Sequence, residues 1–265
     1  MIRVDQKSAK HSGSQRRRAY KITAGRVKMA GVMCLAIVCV CLLFISPLFN
    51  VRSIYVRGNN YLTSKEILDA SGISKGDNIF AVDTTEAIRG VEKLFRVDKC
   101  EIERTLPGKL TLSVTEKTEK AYIKVKSGYA GIDESGRVMV ITKTCEMECP
   151  LVTGVTAFDT EKGDFIKLDD EEAGEKATIL TKILTQLSLR GMITQVKTVN
   201  IKDTDKISLT LVTDTVVNLG EDGEENKDTL EYKIAFLKAI LDEDYPKNGG
   251  IIELSDTSSV TSRVS

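Results

Sequence analysis

The sequence predicts an α+β membrane protein with a single N-terminal transmembrane helix, a first domain of order β-α-α-β-β, and a second mixed α/β domain with an antiparallel sheet. Three observations support this prediction. Residues 29–49 are almost wholly apolar. Residues 51–116 pass from a strand-like alternation to two helix-like periodicities and back to alternation. Residues after 120 carry several short alternating runs around two helical stripes.

The basic residues are concentrated near the N-terminus. The chain holds 38 basic and 38 acidic residues, so its formal net charge is zero. Residues 1–28 contain nine of the basic residues and one of the acidic ones, which leaves 29 basic and 37 acidic residues for the rest. The average charge therefore hides a basic tail followed by an acidic body.

The apolar segment 29–49 predicts a transmembrane helix. It has 21 residues, and a helix needs about 20 to cross a bilayer. A cleaved signal peptide is disfavoured because the segment ends in Ser46-Pro47 without a small-x-small cleavage site. A lipoprotein signal is disfavoured because Met33 precedes Cys34 and bulky Val38 precedes Cys39. We therefore expect an uncleaved membrane anchor.

The basic flank predicts the orientation of this helix. Lys and Arg residues next to a span stay in the cytoplasm, so residues 1–28 form a cytoplasmic tail and the body lies outside. Nucleic-acid binding is the alternative interpretation of the tail. We favour a topology signal that lies against anionic lipid, and we expect no nucleic-acid partner.

The segment 50–119 predicts the first domain. Thr63 and Glu66 have the spacing of a capping box, and the helix that follows stops at Gly72. Asp83 opens a second helix. We expect both helices to cover one face of a three-stranded sheet. The predicted strands are 51–57, 97–104 and 109–116, the last two joined by the turn 106–108.

The segment 120–255 predicts the second domain. Apolar stripes at 179–187 and 230–241 indicate two helices, the first ended by Gly191. Residues 158–176 are acidic and poor in apolar side chains, which predicts a loop. Residues 256–265 are either a last strand or a tail. The expected strands are short runs within 121–126 and 128–140, then 196–201, 206–212, 215–219 and 251–254.

The six cysteines predict no metal site and no cofactor. Cys34, Cys39 and Cys41 fall in the apolar segment, and Cys100 alternates with apolar neighbours as a core residue does. Cys145 and Cys149 form a local disulfide or remain reduced; both alternatives stay open. Half a metal site has the same spacing, but the only histidine, His11, lies across the membrane.

Several segments together resemble one known family. The order and spacing of these segments match the FtsQ/DivIB proteins of the bacterial divisome, whose first extracytoplasmic domain is a POTRA domain. The matching segments are 58–59, 62–67, 97–110, 114–117 with Ala121, 133–138, 150–154 and 217–220.

The resemblance implies a non-enzymatic scaffold of cell division in the cytoplasmic membrane at the septum. It implies binding to two single-pass coiled-coil proteins of the FtsB/DivIC and FtsL type, and regulation of septal peptidoglycan synthesis. It also implies that a C-terminal strand takes a partner segment by strand addition, which needs an exposed edge. A frayed terminus is the alternative interpretation of residues 255–265. The candidate partner-binding residues are Ile251, Ile252, Leu254, Val260, Ser262 and Val264.

Two other functional classes remain as alternatives. An enzyme is disfavoured because no histidine outside the membrane offers a general base, and no nucleophile elbow or phosphate loop occurs. A paired-carboxylate hydrolase is the remaining catalytic alternative. The other alternative is a membrane-anchored extracytoplasmic binding or signalling protein unrelated to division.

Overall fold

A computed structural model of the chain describes residues 24–145, 148–224, 228–243, 249–255 and 261–263. Its first element is α1, Ala24–Ile45, of which Lys28–Ile45 is apolar, unburied and long enough to cross a membrane. The helix ends earlier than the apolar segment does. Proline disfavours helical backbone in the residue before it, so Ser46 leaves the helix and caps a short 3₁₀ turn, Pro47–Phe49.

The first domain has the predicted order β-α-α-β-β. Its sheet has the order β1-β3-β2, with β1 parallel and β2 antiparallel to β3. The capping box is present, because Thr63 Oγ1 accepts from the Glu66 amide at 3.2 Å and Glu66 Oε2 accepts from the Thr63 amide at 2.8 Å. The elements are β1 (Ser53–Arg57), α2 (Ser64–Ser71), α3 (Thr84–Glu92), β2 (Val97–Thr105) and β3 (Lys109–Glu116).

The two helices of this domain cover one face of the sheet at close range. A Cβ on Gly90 of α3 would lie 2.2 Å from the carbonyl oxygen of Ala70 on α2, so only glycine fits there. The buried core beneath them contains Ile67, Ile79, Ala87, Val91, Cys100, Leu110, Leu112 and Val114. This is the arrangement that the capping signals and helical periodicities predicted.

The second domain is built on a nine-stranded sheet with the order β12-β11-β10-β9-β8-β7-β4-β5-β6. Most neighbouring strands are antiparallel, as expected, and three pairs are parallel. The strands are β4 (Ala121–Val125), β5 (Gly128–Ile132), β6 (Val138–Thr142), β7 (Leu151–Ala157), β8 (Val196–Asn200), β9 (Ile207–Leu211), β10 (Val216–Gly220), β11 (Ile251–Glu253) and β12 (Thr261–Arg263).

Two helices cover one face of this sheet. α4 (Ala173–Leu189) connects β7 to its parallel neighbour β8, and α5 (Leu230–Asp242) connects β10 to its parallel neighbour β11. Parallel neighbours need such a crossover. The helices bury Ile183, Leu184, Leu187, Ile234 and Leu237 against the strands. The other face is half-exposed and polar, with Thr153, Thr198, Ser208, Thr210 and Asn218.

One strand and one helix start differ from the sequence prediction. β7 was not predicted, because Gly154 adopts a φ of +84° and interrupts its alternation. The acidic segment 158–176 is a loop as far as residue 172, but its last residues form the first turn of α4.

Candidate functional site

The candidate site is the sheet edge formed by β11 and β12. β12 pairs antiparallel with β11, and in the described part of the chain no strand lies on its other side. Ile251, Ile252 and Glu253 face Arg263, Ser262 and Thr261 in the register of this pair. An edge strand presents a row of backbone N–H and C=O groups that a further strand can pair with.

The predicted partner-binding residues divide into two groups at this edge. Ile252 and Leu254 are buried under α5, at 3% and 0% exposure, so they support the edge from within. Ile251 is 46% exposed on the opposite face, and Ser262 lies on β12. Val260 and Val264 lie outside the described residues.

Backbone hydrogen bonds to the preceding strand hold β11 in place. Val216 donates to the Gly250 carbonyl at 3.0 Å, and Leu254 donates to the Asn218 carbonyl at 2.8 Å. The buried side chains of Ile252 and Leu254 add apolar contacts with the core. Among the described residues, β12 pairs with β11 and with no other strand, so its position depends on that of β11.

A polar cluster that the sequence interpretation missed links β10 to β11. Asn218 Nδ2 donates to Glu253 Oε2 at 2.8 Å, and the Ser255 hydroxyl donates to Glu253 Oε1 at 2.7 Å. Burial raises the pKa of Glu253, but the hydrogen bonds from Asn218 and Ser255 outweigh it and hold the pKa below its ordinary value of 4.5. The carboxylate therefore stays charged at neutral pH.

The loop that follows β10 is fixed to both helices beside this cluster. Lys182 of α4 forms a 2.6 Å ion pair with Asp222, and the other carboxylate oxygen of Asp222 accepts from the Leu230 amide at 3.0 Å. Lys233 of α5, fully buried, donates to the Glu221 carbonyl at 2.8 Å. These contacts fix the end of β10 against which β11 pairs.

The opposite edge of the sheet is partly covered. The amide of Val138 on β6 donates to the Asp164 carbonyl, and the Gly163 amide donates to the Val138 carbonyl, both at 2.8 Å. Arg137 lies 4.4 Å above the ring of Phe165 and also donates to the Gly163 carbonyl. The loop 163–165 after β7 therefore covers the start of β6. Of the two edges of the sheet, the one at β12 is the more open.

A buried ion pair joins the two domains. Arg96 Nη2 lies 3.0 Å from Glu119 Oε1 and donates to the Met139 carbonyl at 2.8 Å, while its guanidinium lies 4.0 Å above the Tyr61 ring. The Arg96 and Glu119 side chains are only 7% and 11% exposed. This contact fixes the first domain against β6 and the connection to β4.

The cysteines outside the apolar helix lie in buried or half-buried positions. Burial raises the pKa of Cys100 and of Cys149 to about 11. The Cys149 thiol donates to the Glu119 carbonyl at 3.2 Å. Cys145 and Cys149 are free thiols in this structure, and a disulfide between them stays one of two alternatives. In the described ranges, no group of three or more His, Cys, Asp or Glu side chains is arranged to hold a metal ion.

Two family models match the chain. Residues 49–117 match the FtsQ-type POTRA domain, and residues 121–256 match the C-terminal domain of cell division protein FtsQ/DivIB. Together they include both folded units described above and the β11 strand.

Individual relatives agree with these models. The chain is 29% identical over 157 residues to cell division protein DivIB of Clostridium botulinum, which covers 56% of this chain and 61% of that protein. It is 33% identical over 95 residues to cell division protein FtsQ of Corynebacterium glutamicum, covering 36% and 43% of the two chains. It is 28% identical over 228 residues to FtsQ of Syntrophotalea carbinolica, covering 84% and 75%. The first two alignments span less than two thirds of those relatives.

Proposed function

This chain belongs to the FtsQ/DivIB family of cell-division proteins, and from that premise we propose that it scaffolds the divisome by binding small single-pass coiled-coil proteins of the FtsB/DivIC and FtsL type. A role in cell division follows from the family itself. The two named partner classes, and the coordination of septal peptidoglycan synthesis through them, are the proposal. We include no catalytic role, because the family is one of scaffolds and no cluster described above supports a reaction.

The open edge at β12 carries this proposal. A partner segment can add there as a further strand, with its backbone groups paired to those of residues 261–263. Ile251 offers an exposed apolar side chain next to the edge, while Ile252 and Leu254 stabilise it from the core side. Main-chain pairing provides affinity, and neighbouring side chains provide specificity.

The position in the envelope is part of the same proposal. The apolar helix α1 anchors a single-pass protein, and the basic residues before it favour a cytoplasmic N-terminus. The division of the chain is then a cytoplasmic tail (1–28), a membrane segment (29–49), a POTRA-like domain (50–119), a second domain (120–255) and a terminal strand (256–265). A fluorescent protein fused to Met1 should mark the division plane; an even signal around the membrane would contradict this location.

Proline substitution along β12 tests the binding mode. Consecutive backbone N–H groups of a strand point alternately to its two sides, so Thr261 and Arg263 donate to one side and Ser262 to the other. Proline removes the N–H group. We therefore expect Ser262→Pro to differ from Thr261→Pro and Arg263→Pro when the full-length chain is titrated with the extracytoplasmic segment of a DivIC-type protein.

The expected pattern has two parts. Proline at a position whose N–H points away from β11 should abolish partner binding and leave the hydrogen-exchange protection of the β11 amides unchanged. Proline at a position whose N–H points towards β11 should abolish binding and also lower that protection. A chain truncated after Leu254 should not bind, because it lacks β12. Wild-type binding by the truncated chain and by all three proline variants would rule out strand addition at this edge.

A further inference from the structure

Two hydrogen bonds connect the first domain to the end of α1 and to the 3₁₀ turn that follows it. The last carbonyl groups of a helix lack partners within it. Here Asn78 Nδ2 donates to the Phe44 carbonyl at 2.8 Å, and the Ile79 amide donates to the Phe49 carbonyl at 2.8 Å. Loop 77–82 between α2 and α3 therefore lies directly against the place where the chain leaves the membrane.

Three phenylalanines pack together at this point. The ring of Phe80, in loop 77–82, lies 4.9 Å from that of Phe44 in an edge-to-face arrangement and 5.1 Å from that of Phe49. Even so, Phe80 is 42% exposed and Phe44 is 45% exposed. Leu48, in the 3₁₀ turn beside them, is 47% exposed. The cluster therefore presents apolar surface outward as well as inward.

The hairpin turn between β2 and β3 reaches the same level. The Gly108 carbonyl accepts from the Arg52 amide at 2.7 Å, and a Cβ on Gly108 would lie 2.3 Å from the Asn50 carbonyl oxygen. The turn thus lies beside the residues that follow the 3₁₀ turn. Leu106 in this turn is 55% exposed.

The charged groups around these apolar residues are mostly basic. Arg52 and Lys75 are exposed, and exposed Arg104 donates from Nη2 to the Val82 carbonyl at 2.6 Å. The nearby acidic residues are Asp77, whose carboxylate accepts from the Ser74 amide at 2.8 Å, and exposed Asp83, which caps α3 directly after loop 77–82. Apolar side chains ringed by Lys and Arg are typical of surfaces that lie in the headgroup region of a bilayer.

We propose that Leu48, Phe80 and Leu106 form a membrane-seated surface, which inserts into the headgroup–acyl boundary of the lipid next to α1. The surface is continuous with the end of a membrane-spanning helix, so lipid is the medium that it meets first. Aromatic side chains concentrate at this boundary, and basic side chains there attract anionic headgroups. The inference rests on the proposed membrane anchoring by α1.

Tryptophan fluorescence tests this surface without background, because the chain contains no tryptophan. Full-length Phe80→Trp and Leu106→Trp variants are reconstituted into phosphatidylcholine–phosphatidylglycerol vesicles that contain brominated lipids. The matched control is Phe158→Trp, since Phe158 in the second domain is 43% exposed. Ile37→Trp, in the middle of α1, reports on the anchor itself.

Lipid contact should quench the fluorescence of Phe80→Trp and Leu106→Trp at least about twofold more than that of Phe158→Trp, and more by bromines near the headgroup than by bromines deep in the chains. The proposed surface is overturned if Ile37→Trp is quenched while Phe80→Trp and Leu106→Trp behave like Phe158→Trp. It is also overturned if Phe80→Trp and Leu106→Trp are shielded only after another membrane protein is added. An unquenched Ile37→Trp variant would instead overturn the anchor, and this inference with it.

Discussion

The side-chain amide of Asn218 donates a 2.8 Å hydrogen bond to the carboxylate of Glu253 on the neighbouring parallel strand. These residues are 35 positions apart, and all of α5 lies between them. The bond joins β10, which is well inside the sheet, to β11, on which the edge strand depends. Four predictions follow from this and the other contacts described above.

Substitution of Asn218 by leucine should loosen β11. The change removes one hydrogen bond to a half-buried carboxylate, which costs about 1.5 kcal/mol. Hydrogen exchange of the Leu254 amide, which donates to the Asn218 carbonyl, should accelerate about tenfold. Ser208→Ala is the matched control, because Ser208 lies opposite Asn218 on the neighbouring strand β9. Equal exchange rates in both variants would contradict a stabilising role for Asn218.

The stabilising contribution of Glu253 should depend on pH. Its folded pKa lies below the ordinary value of 4.5, so the contribution is present above that pH and is lost as the pH falls through the folded pKa. The thermal midpoints of wild type and Glu253→Gln should therefore differ most near neutral pH and converge in acid. The other carboxyls titrate in both proteins and cancel in the comparison. A constant difference down to about pH 3 would contradict this prediction.

Loss of Arg96 should destabilise the junction between the domains. Arg96→Met leaves the Glu119 carboxylate buried without its cation, and breaking such a pair costs ~3–5 kcal/mol. The double variant Arg96→Met with Glu119→Gln should recover part of the lost free energy of unfolding. Denaturant unfolding of the three proteins measures this recovery. Lys99→Met is the control, since its pair with Glu101 is about two-thirds exposed and such pairs contribute little to stability. An equal loss in the free energy of unfolding for Arg96→Met and Lys99→Met would show that the buried ion pair is no more stabilising than the exposed one.

On the proposed extracytoplasmic position of the second domain, Cys145 and Cys149 should form a disulfide during oxidative export and not by slow reaction afterwards. Burial raises the pKa of Cys149 to about 11, so little of the reactive thiolate exists at neutral pH. Protein from the envelope, denatured and alkylated without reductant, should yield a peptide in which Cys145 and Cys149 carry no alkyl group. Cys100 should be alkylated in the same sample. Alkylation of both Cys145 and Cys149 without reduction would contradict the disulfide.

Local signals explain which parts of the fold could be predicted from the sequence. The caps at Thr63 and Asp83 and the turn at Leu106-Pro107-Gly108 each lie within a few residues of the structure that they set, and all are observed. Glu116 was predicted only as the last residue of a strand and as part of a family motif. In the structure its carboxylate accepts the backbone N–H groups of Asn60, Tyr61 and Leu62 at 2.8–2.9 Å, which fixes the loop after β1.

Contacts between distant residues explain what could not be predicted. Arg96 contacts Glu119 and the carbonyl of Met139, which are 23 and 43 residues away in sequence. The hydrophobic periodicity of the sequence indicates neither partner. At the candidate site, alternation did identify β11 as a strand. It could not show that Ile252 and Leu254 point into the core and Ile251 away from it, because the direction is set by the register with Val216 and Val217.

The connection between α1 and the first domain is too short and too ordered to act as a flexible tether. Only residues 46–50 separate Ile45 from the buried Val51. Phe49 and Asn50 each donate a backbone hydrogen bond within this connection, and Ser46 donates one to the Leu43 carbonyl of α1. On the proposed membrane anchoring by α1, this connection holds the first domain at one height and one tilt above the bilayer. For a partner anchored in the same bilayer, encounter becomes a two-dimensional search at a fixed level. That geometry raises the effective concentration of binding site and ligand for each other far above what a swinging domain would give.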